Sequence, residues 1–173
     1  MFVDFTNPAC WTLNLFSGDS VAFDAPTVFV RGTMADASAT NLAIQLILSV
    51  AGIAALGGVL PTRARITCKA SSAAALGEVF PSITLDTATG GSGGDNGPSV
   101  GDGFNGQIIT EDILLGYSFG MTAPITGAIV QISAYTLTAS PLTLDVISVE
   151  FNIGDPAPTP AFFQDFTGTD ETP

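Results

Sequence analysis

The sequence predicts an all-β fold, a single jelly-roll or β-sandwich barrel with extended N- and C-terminal arms and at most one short helix. Three observations lead there. Apolar and polar residues alternate with a period of two in several segments, as in strands with one face in a core. These segments recur along the chain with Gly, Pro, Ser and Asp between them, the spacing of a sandwich rather than of βαβ units. The length, 173 residues, suits one domain with a core of its own. That domain is placed at 11–154, between an N-terminal arm at 1–10 and a C-terminal arm at 155–173.

Taken in order, residues 1–8 read as an extended arm closed by Asn7-Pro8. WTLNLFSG (Trp11 to Gly18) and VAFDAPTVFVRG (Val21 to Gly32) read as short strands, with Pro26 at a bend or edge. Residues 33–41 read as a loop. The next stretch, LAIQLILSVAGIAALGGVL at 42–60, is nineteen residues without a charge, about the length that spans a bilayer as a helix. Within it, Leu42, Ile44, Leu46, Leu48 and Val50 alternate with Ala43, Gln45, Ile47, Ser49 and Ala51, as a half-buried strand requires. A helix would instead set Gln45 and Ser49 together on an apolar cylinder. In PTRARITCKAS, Thr62, Ala64, Ile66 and Cys68 alternate with Arg63, Arg65, Thr67 and Lys69. The adopted reading is strand, turn and second strand, with a transmembrane helix over 42–60 as its alternative.

SSAAALGEV (Ser71 to Val79), a serine before an alanine run, is the helix candidate. VFPSITLDTAT restores strand character. Thr89 to Gln107 reads as a long loop, functional or mobile, because it has no hydrophobic pattern. IITEDILLGYSFGM, GAIVQISAYTLT and PLTLDVISVEFNIG follow as strands. The last two form the clearest pair, rich in β-branched and aromatic residues. The tail from Asp155 is proline-rich, then aromatic. Asp4-Phe5-Thr6 recurs as Asp165-Phe166-Thr167, a short echo that would suit arms seated in equivalent pockets.

Composition narrows the function. Hydrophobic residues make up 46% and charged ones 12%, which excludes disorder of the whole chain. So charge-poor a surface is expected to be partly covered by neighbouring subunits. Sixteen acids against four bases give a net charge of −12, the wrong sign for a nucleic-acid footprint. The first residues have neither a basic n-region nor a long apolar h-region, so no secretory signal is expected. Cys10 and Cys68 read as small buried residues, with one disulfide left open.

There is no histidine, which removes serine–histidine and cysteine–histidine catalysis and every histidine metal site. Glu111 and Asp112 are adjacent and would face opposite ways on a strand. No catalytic residue, metal ligand or cofactor is therefore assigned, and an enzyme is not expected. GGSGGD at 90–95 matches the start of a calcium-binding nonapeptide repeat. It occurs once, with Gly97 where a large apolar residue is needed, so a plain flexible loop is the reading, with a calcium held by Asp95, Asp102 and backbone carbonyls as its alternative. Arg63, Arg65 and Lys69 share one side of their strand, to pair with nearby acids or to meet a neighbouring subunit or lipid headgroup.

In its length, its strands from Trp11 to Gly154 and its arms at Met1–Pro8 and Pro156–Pro173, the chain resembles the small major capsid protein of icosahedral, internal-membrane phages of Thermus and of related haloarchaeal viruses. That resemblance implies an upright jelly roll that assembles with copies of itself and with a larger coat protein. It also implies a place in the virion capsid after synthesis in the host cytoplasm, close to an internal membrane. Phe2, Phe5, Phe162, Phe163 and Phe166 are then expected as arm anchors, with Arg63, Arg65 and Lys69 at subunit contacts. The aromatic residues could equally cap the domain's own core. A carbohydrate- or surface-binding β-sandwich of a phage fibre or adhesin is the alternative from another class. It needs exposed aromatics, and the chain has one Trp and two Tyr. A small membrane protein spanning at 42–60 is the third reading.

Overall fold

The computed structural model describes residues 2–24, 26–35, 39–88, 92–96, 101–116 and 124–152. They form a β-sandwich. One sheet contains β2 (Trp11–Ser17), β5 (Asn41–Leu48), β10 (Ile125–Thr136), β7 (Leu76–Thr87) and β8 (Ser92–Asn96), in that spatial order. The other runs β3 (Ser20–Phe23), β4 (Val30–Met34), β11 (Leu142–Phe151), β6 (Arg63–Ser72) and β9 (Ile109–Leu114), and β1 (Val3–Asp4) adds to β11. All pairings are antiparallel, and most connections cross from one sheet to the other, as in jelly rolls.

Alternation in sequence becomes the core directly. Leu42, Ile44, Leu46 and Leu48 of β5 point inward beside Ala128, Val130, Ile132 and Ala134 of β10. From the opposite sheet come Ala64, Ile66, Cys68 and Ala70 of β6, with Leu144, Val146, Val149 and Phe151 of β11. The two strands that looked like a pair, β10 and β11, do not pair with each other. Each is central to its own sheet. Both cysteines are free and buried, and burial, helped by the nearby Glu111 charge, pushes the Cys68 thiol up to about 12.

The uncharged run splits. Its first part is β5, as the alternation required, but β5 ends at Leu48 and a six-residue helix α1 (Val50–Ala55) follows. Ser49 caps α1 by accepting a hydrogen bond from the Gly52 amide, and Gly57 and Gly58, both at positive φ, lie beyond its end. A side chain at Gly52 would collide with the Cys10 carbonyl, so only glycine lets α1 lie this close to the chain. Val50, assigned above to the buried parity, is 85% exposed because the strand has already stopped. Among the described residues no helix is long and apolar enough to cross a membrane.

Two further expectations are corrected. Ser71–Val79 is not helical: β6 runs to Ser72 and β7 starts at Leu76. The intervening turn is held by Asn105, whose Nδ2 donates to the Ser72 and Ala74 carbonyls and whose Oδ1 accepts from the Ser72 amide. The glycine-rich stretch 89–107 is not one plain loop either. Ser92–Asn96 is strand β8 against β7, and the Gly106 amide donates to the Ala70 carbonyl. The side chains of Asp95 and Asp102 lie outside those described.

The N-terminal segment folds onto its own domain. β1 pairs with the end of β11, and the Phe5 amide donates to the Val149 carbonyl. Phe5 is 2% exposed, edge-on to Trp11 and Phe151 at ring centroid distances of 6.4 and 5.4 Å. The Trp11 indole N–H donates to the Phe5 carbonyl at 2.7 Å. Phe5→Ala is therefore expected to destabilise the fold by about 3 kcal/mol or more. The loss in a urea melt should not depend on protein concentration. A loss that grew on dilution would instead place Phe5 in a contact between copies.

Candidate functional site

With the inner parity consumed by the core, the chemistry available for binding lies on the two outer faces. They differ sharply in charge. All four basic residues of the chain, Arg31, Arg63, Arg65 and Lys69, stand at outward positions of the six-stranded sheet. There the Arg31 guanidinium donates to both oxygens of Asp145, at 2.7 and 3.2 Å, and reaches Asp24 at 2.8 Å. Arg65 grips Asp112 in the same two-pronged way, at 2.9 and 3.1 Å. Its guanidinium carbon also lies 4.1 Å from the centroid of the Phe2 ring. Lys69 stands opposite Asp145 in the register. These pairings fit the milder of the two roles expected for the basic strand, neutralisation of nearby acids.

Of the residues proposed from sequence, Phe2, Arg63, Arg65 and Lys69 thus share one face. Phe5 does not join them; it is buried in its own core, the second of the two roles allowed for it, and has no surface left for a neighbour. Phe162, Phe163 and Phe166 lie outside the described residues. The Arg63 amide, with that of Thr62, donates to the buried Asn152 side chain, while the Arg63 Nε is buried without a partner among the described residues.

The adjacent acids separate as the strand parity required. Asp112 faces out to Arg65, whereas Glu111 stands opposite inward-facing Ile66 at the edge of the sheet. Burial, and secondarily the Asp112 charge, raises the Glu111 pKa above 4.5. An inward-turned charge on an edge strand also discourages further strand addition.

The five-stranded sheet carries a different face. Across β2, β5, β10 and β7 the register aligns Asn14, Gln45, Gln131 and Ser82 in one outward row. The amides are linked in one direction: Asn14 Nδ2 donates to Gln45 Oε1 at 2.8 Å, and Gln45 Nε2 donates to Gln131 Oε1 at 2.8 Å. Gln131 Nε2 then donates to Ser133 Oγ at 3.2 Å. A parallel row holds Thr12, Ile47, Ile129 and Thr84. On the other side of the amides, Phe80 stands opposite Ser133, and its ring is stacked with Tyr135 at 6.0 Å and 9° between planes. Ala43 and Ser133 in that row are small and only 1% exposed. At the β2 edge of the same level, Phe16 is exposed at a bulge. The charged residues at outward positions of β2, β5, β7 and β10 are Glu78 and Asp86, both acidic.

The sequence reading missed this face. Gln45 was visible as the polar interruption of an apolar run, and Phe80 and Tyr135 as aromatics on the outward parity. What aligned them, the β5–β10–β7 register, is set by contacts distant in sequence.

No protein-family model and no curated protein matches the sequence. Solved structures do resemble the fold. One is described as the structural basis for promiscuous specificity of carbohydrate-binding modules from the β-sandwich superfamily; it aligns with a TM-score of 0.50 and 12% identity over 83% of this chain. The chain spans 58% of the length of that protein. Another is the xylan-binding module CBM15, with a TM-score of 0.54 and 12% identity over 90% of this chain and 97% of that one. At these identities the likeness concerns the fold alone.

The edge carboxylate gives a pH test. Folded Glu111 keeps its proton to a higher pH than the unfolded chain does. Its contribution to stability is therefore intact below the ordinary value near 4.5 and falls as pH rises toward the raised folded value. Glu111→Gln is expected to remove that decline and to be the more stable protein at neutral pH, read as urea midpoints across the pH range. Parallel profiles for the two proteins would show that Glu111 is fully solvated.

Proposed function

We propose that this chain is a carbohydrate-binding β-sandwich module whose ligand lies on the outer face of the five-stranded sheet. The observation that carries this reading is the combination, on one cation-free face, of a hydrogen-bonded amide row with a stacked Phe80–Tyr135 pair. Sugars present two kinds of surface, apolar C–H faces and a rim of hydroxyls that both donate and accept. Aromatic rings cover the first, and uncharged amides match the second in both senses. The fold likeness to carbohydrate-binding modules, one of them xylan-binding, is consistent with this role.

The fibre or adhesin context raised by the sequence belongs to the same proposal. The shell-subunit reading draws less support. Of its two N-terminal anchors, Phe5 is occupied within the domain and Phe2 lies on the outer face against Arg65, while its C-terminal anchors lie outside the described residues. Co-assembly with a second coat protein and a virion location therefore rest on the resemblance alone.

Affinity electrophoresis in gels containing soluble xylan or mixed-linked β-glucan tests the reading. The wild type is expected to be retarded, and Phe80→Ala, in the row beside the amides, to lose roughly tenfold or more in affinity while keeping its circular-dichroism spectrum. Unretarded migration on every soluble glycan, or full binding by the variant, would overturn the assignment of this face.

A further inference from the structure

The amide row also specifies what kind of glycan the face accepts and how it lies. Resting on the carbohydrate-binding reading, we infer that the ligand is an uncharged, extended polysaccharide that runs across the strands along Asn14, Gln45, Gln131 and Ser82, with one sugar over each strand.

Spacing is the first argument. Register-aligned residues on neighbouring strands recur at about 4.8 Å, so the row from Asn14 to Ser82 spans roughly 14 Å. The sugars of an extended β-1,4-linked chain advance by nearly the same step, so each meets an equivalent rung. A chain lying along a strand would meet a polar group and then Ile47 or Ile129. It would find no repeating match.

Valence is the second. A primary amide has two N–H donors and two acceptor lone pairs. Among the described residues, Gln45 uses one donor and one acceptor within the row, and Gln131 accepts from Gln45 and donates to Ser133 of the neighbouring row. Each therefore keeps one donor and one acceptor, the complement of a pair of neighbouring hydroxyls. The links between rungs also fix the amide orientations before any ligand arrives, which lowers the entropy lost on binding.

Charge is the third. Every arginine and lysine lies on the opposite sheet, and Glu78 and Asp86 flank the row. A uronate or sulfated polymer would meet acids and no cation here. A neutral chain meets only uncharged partners along the row.

Calorimetric titration of the full chain with cello-, xylo- and manno-oligosaccharides, from disaccharide to hexasaccharide, tests this, with polygalacturonate and heparin as anionic probes. The expected result is affinity that climbs with length and levels off near the tetrasaccharide. Gln131→Ala should weaken tetrasaccharide binding about tenfold, the equivalent of one to two lost hydrogen bonds. Asn14→Ala, at the exposed end of the row, should shorten the plateau by one sugar without disturbing the fold. Neutral-sugar binding that saturates at the disaccharide, or is indifferent to both substitutions, would overturn the crossing geometry and leave the carbohydrate reading standing. Tighter binding of an anionic probe would overturn the neutral-ligand assignment. Failure of every sugar to bind would overturn the carbohydrate reading and this inference with it.

Discussion

A two-sheet protein must place one parity of each strand between its sheets, and that demand organises this molecule. The central strands β10 and β11 and their neighbours β5 and β6 supply inward rows of Leu, Ile, Val, Ala and Phe that are almost wholly buried. Because a shift by one residue would turn every such side chain outward, the core also fixes the register. Fixed register is in turn what brings Asn14, Gln45, Gln131 and Ser82, far apart in sequence, into one line. The outer rows are free to differ in chemistry because they contribute little to the core.

They do differ. Twelve surplus negative charges would weaken a compact state by self-repulsion, and the chain concentrates its few cations where acids can pair with them. Arg31 with Asp145 and Asp24, and Arg65 with Asp112, make the six-stranded face a self-neutralising surface. The exposed Arg31–Asp24 and Arg65–Asp112 pairs contribute modestly to stability, whereas Asp145, only 8% exposed, relies on the two-pronged bond from Arg31. The larger consequence of these pairings is to leave the five-stranded face without positive charge. On that face the amides of Asn14, Gln45 and Gln131 are tied to one another, which fixes their orientation and leaves each glutamine a donor and an acceptor for a ligand.

Strand character was legible wherever one face was buried, because the period of two survives in the letters: β5, β6, β10 and β11 all show it. Features that depend on distant partners were not. Ser71–Val79 carries a local helix signal, yet the turn at 73–75 is held by Asn105, whose role cannot be seen from the alanine run. Strand β8 is mostly glycine and polar residues, so its strand state comes from pairing with β7 rather than from propensity. The helix that does form, α1, was hidden by the apolar run around it, although Ser49 and Gly57-Gly58 mark its ends. At the candidate site the basic strand was read correctly as one-sided. The amide row was invisible until the order of strands was known.

Side-chain amide resonances give the most direct access to the central claim. A ¹H–¹⁵N titration with a neutral β-1,4-linked hexasaccharide would report separately on the Asn14, Gln45 and Gln131 amides and on the Arg31 and Arg65 Nε–H groups. Saturable shifts of the three amides and of the β5, β10 and β7 backbone, with both arginines unmoved, are the expected result. Shifts centred on the arginine-bearing sheet, or none at any concentration, would contradict the assignment of function to the five-stranded face.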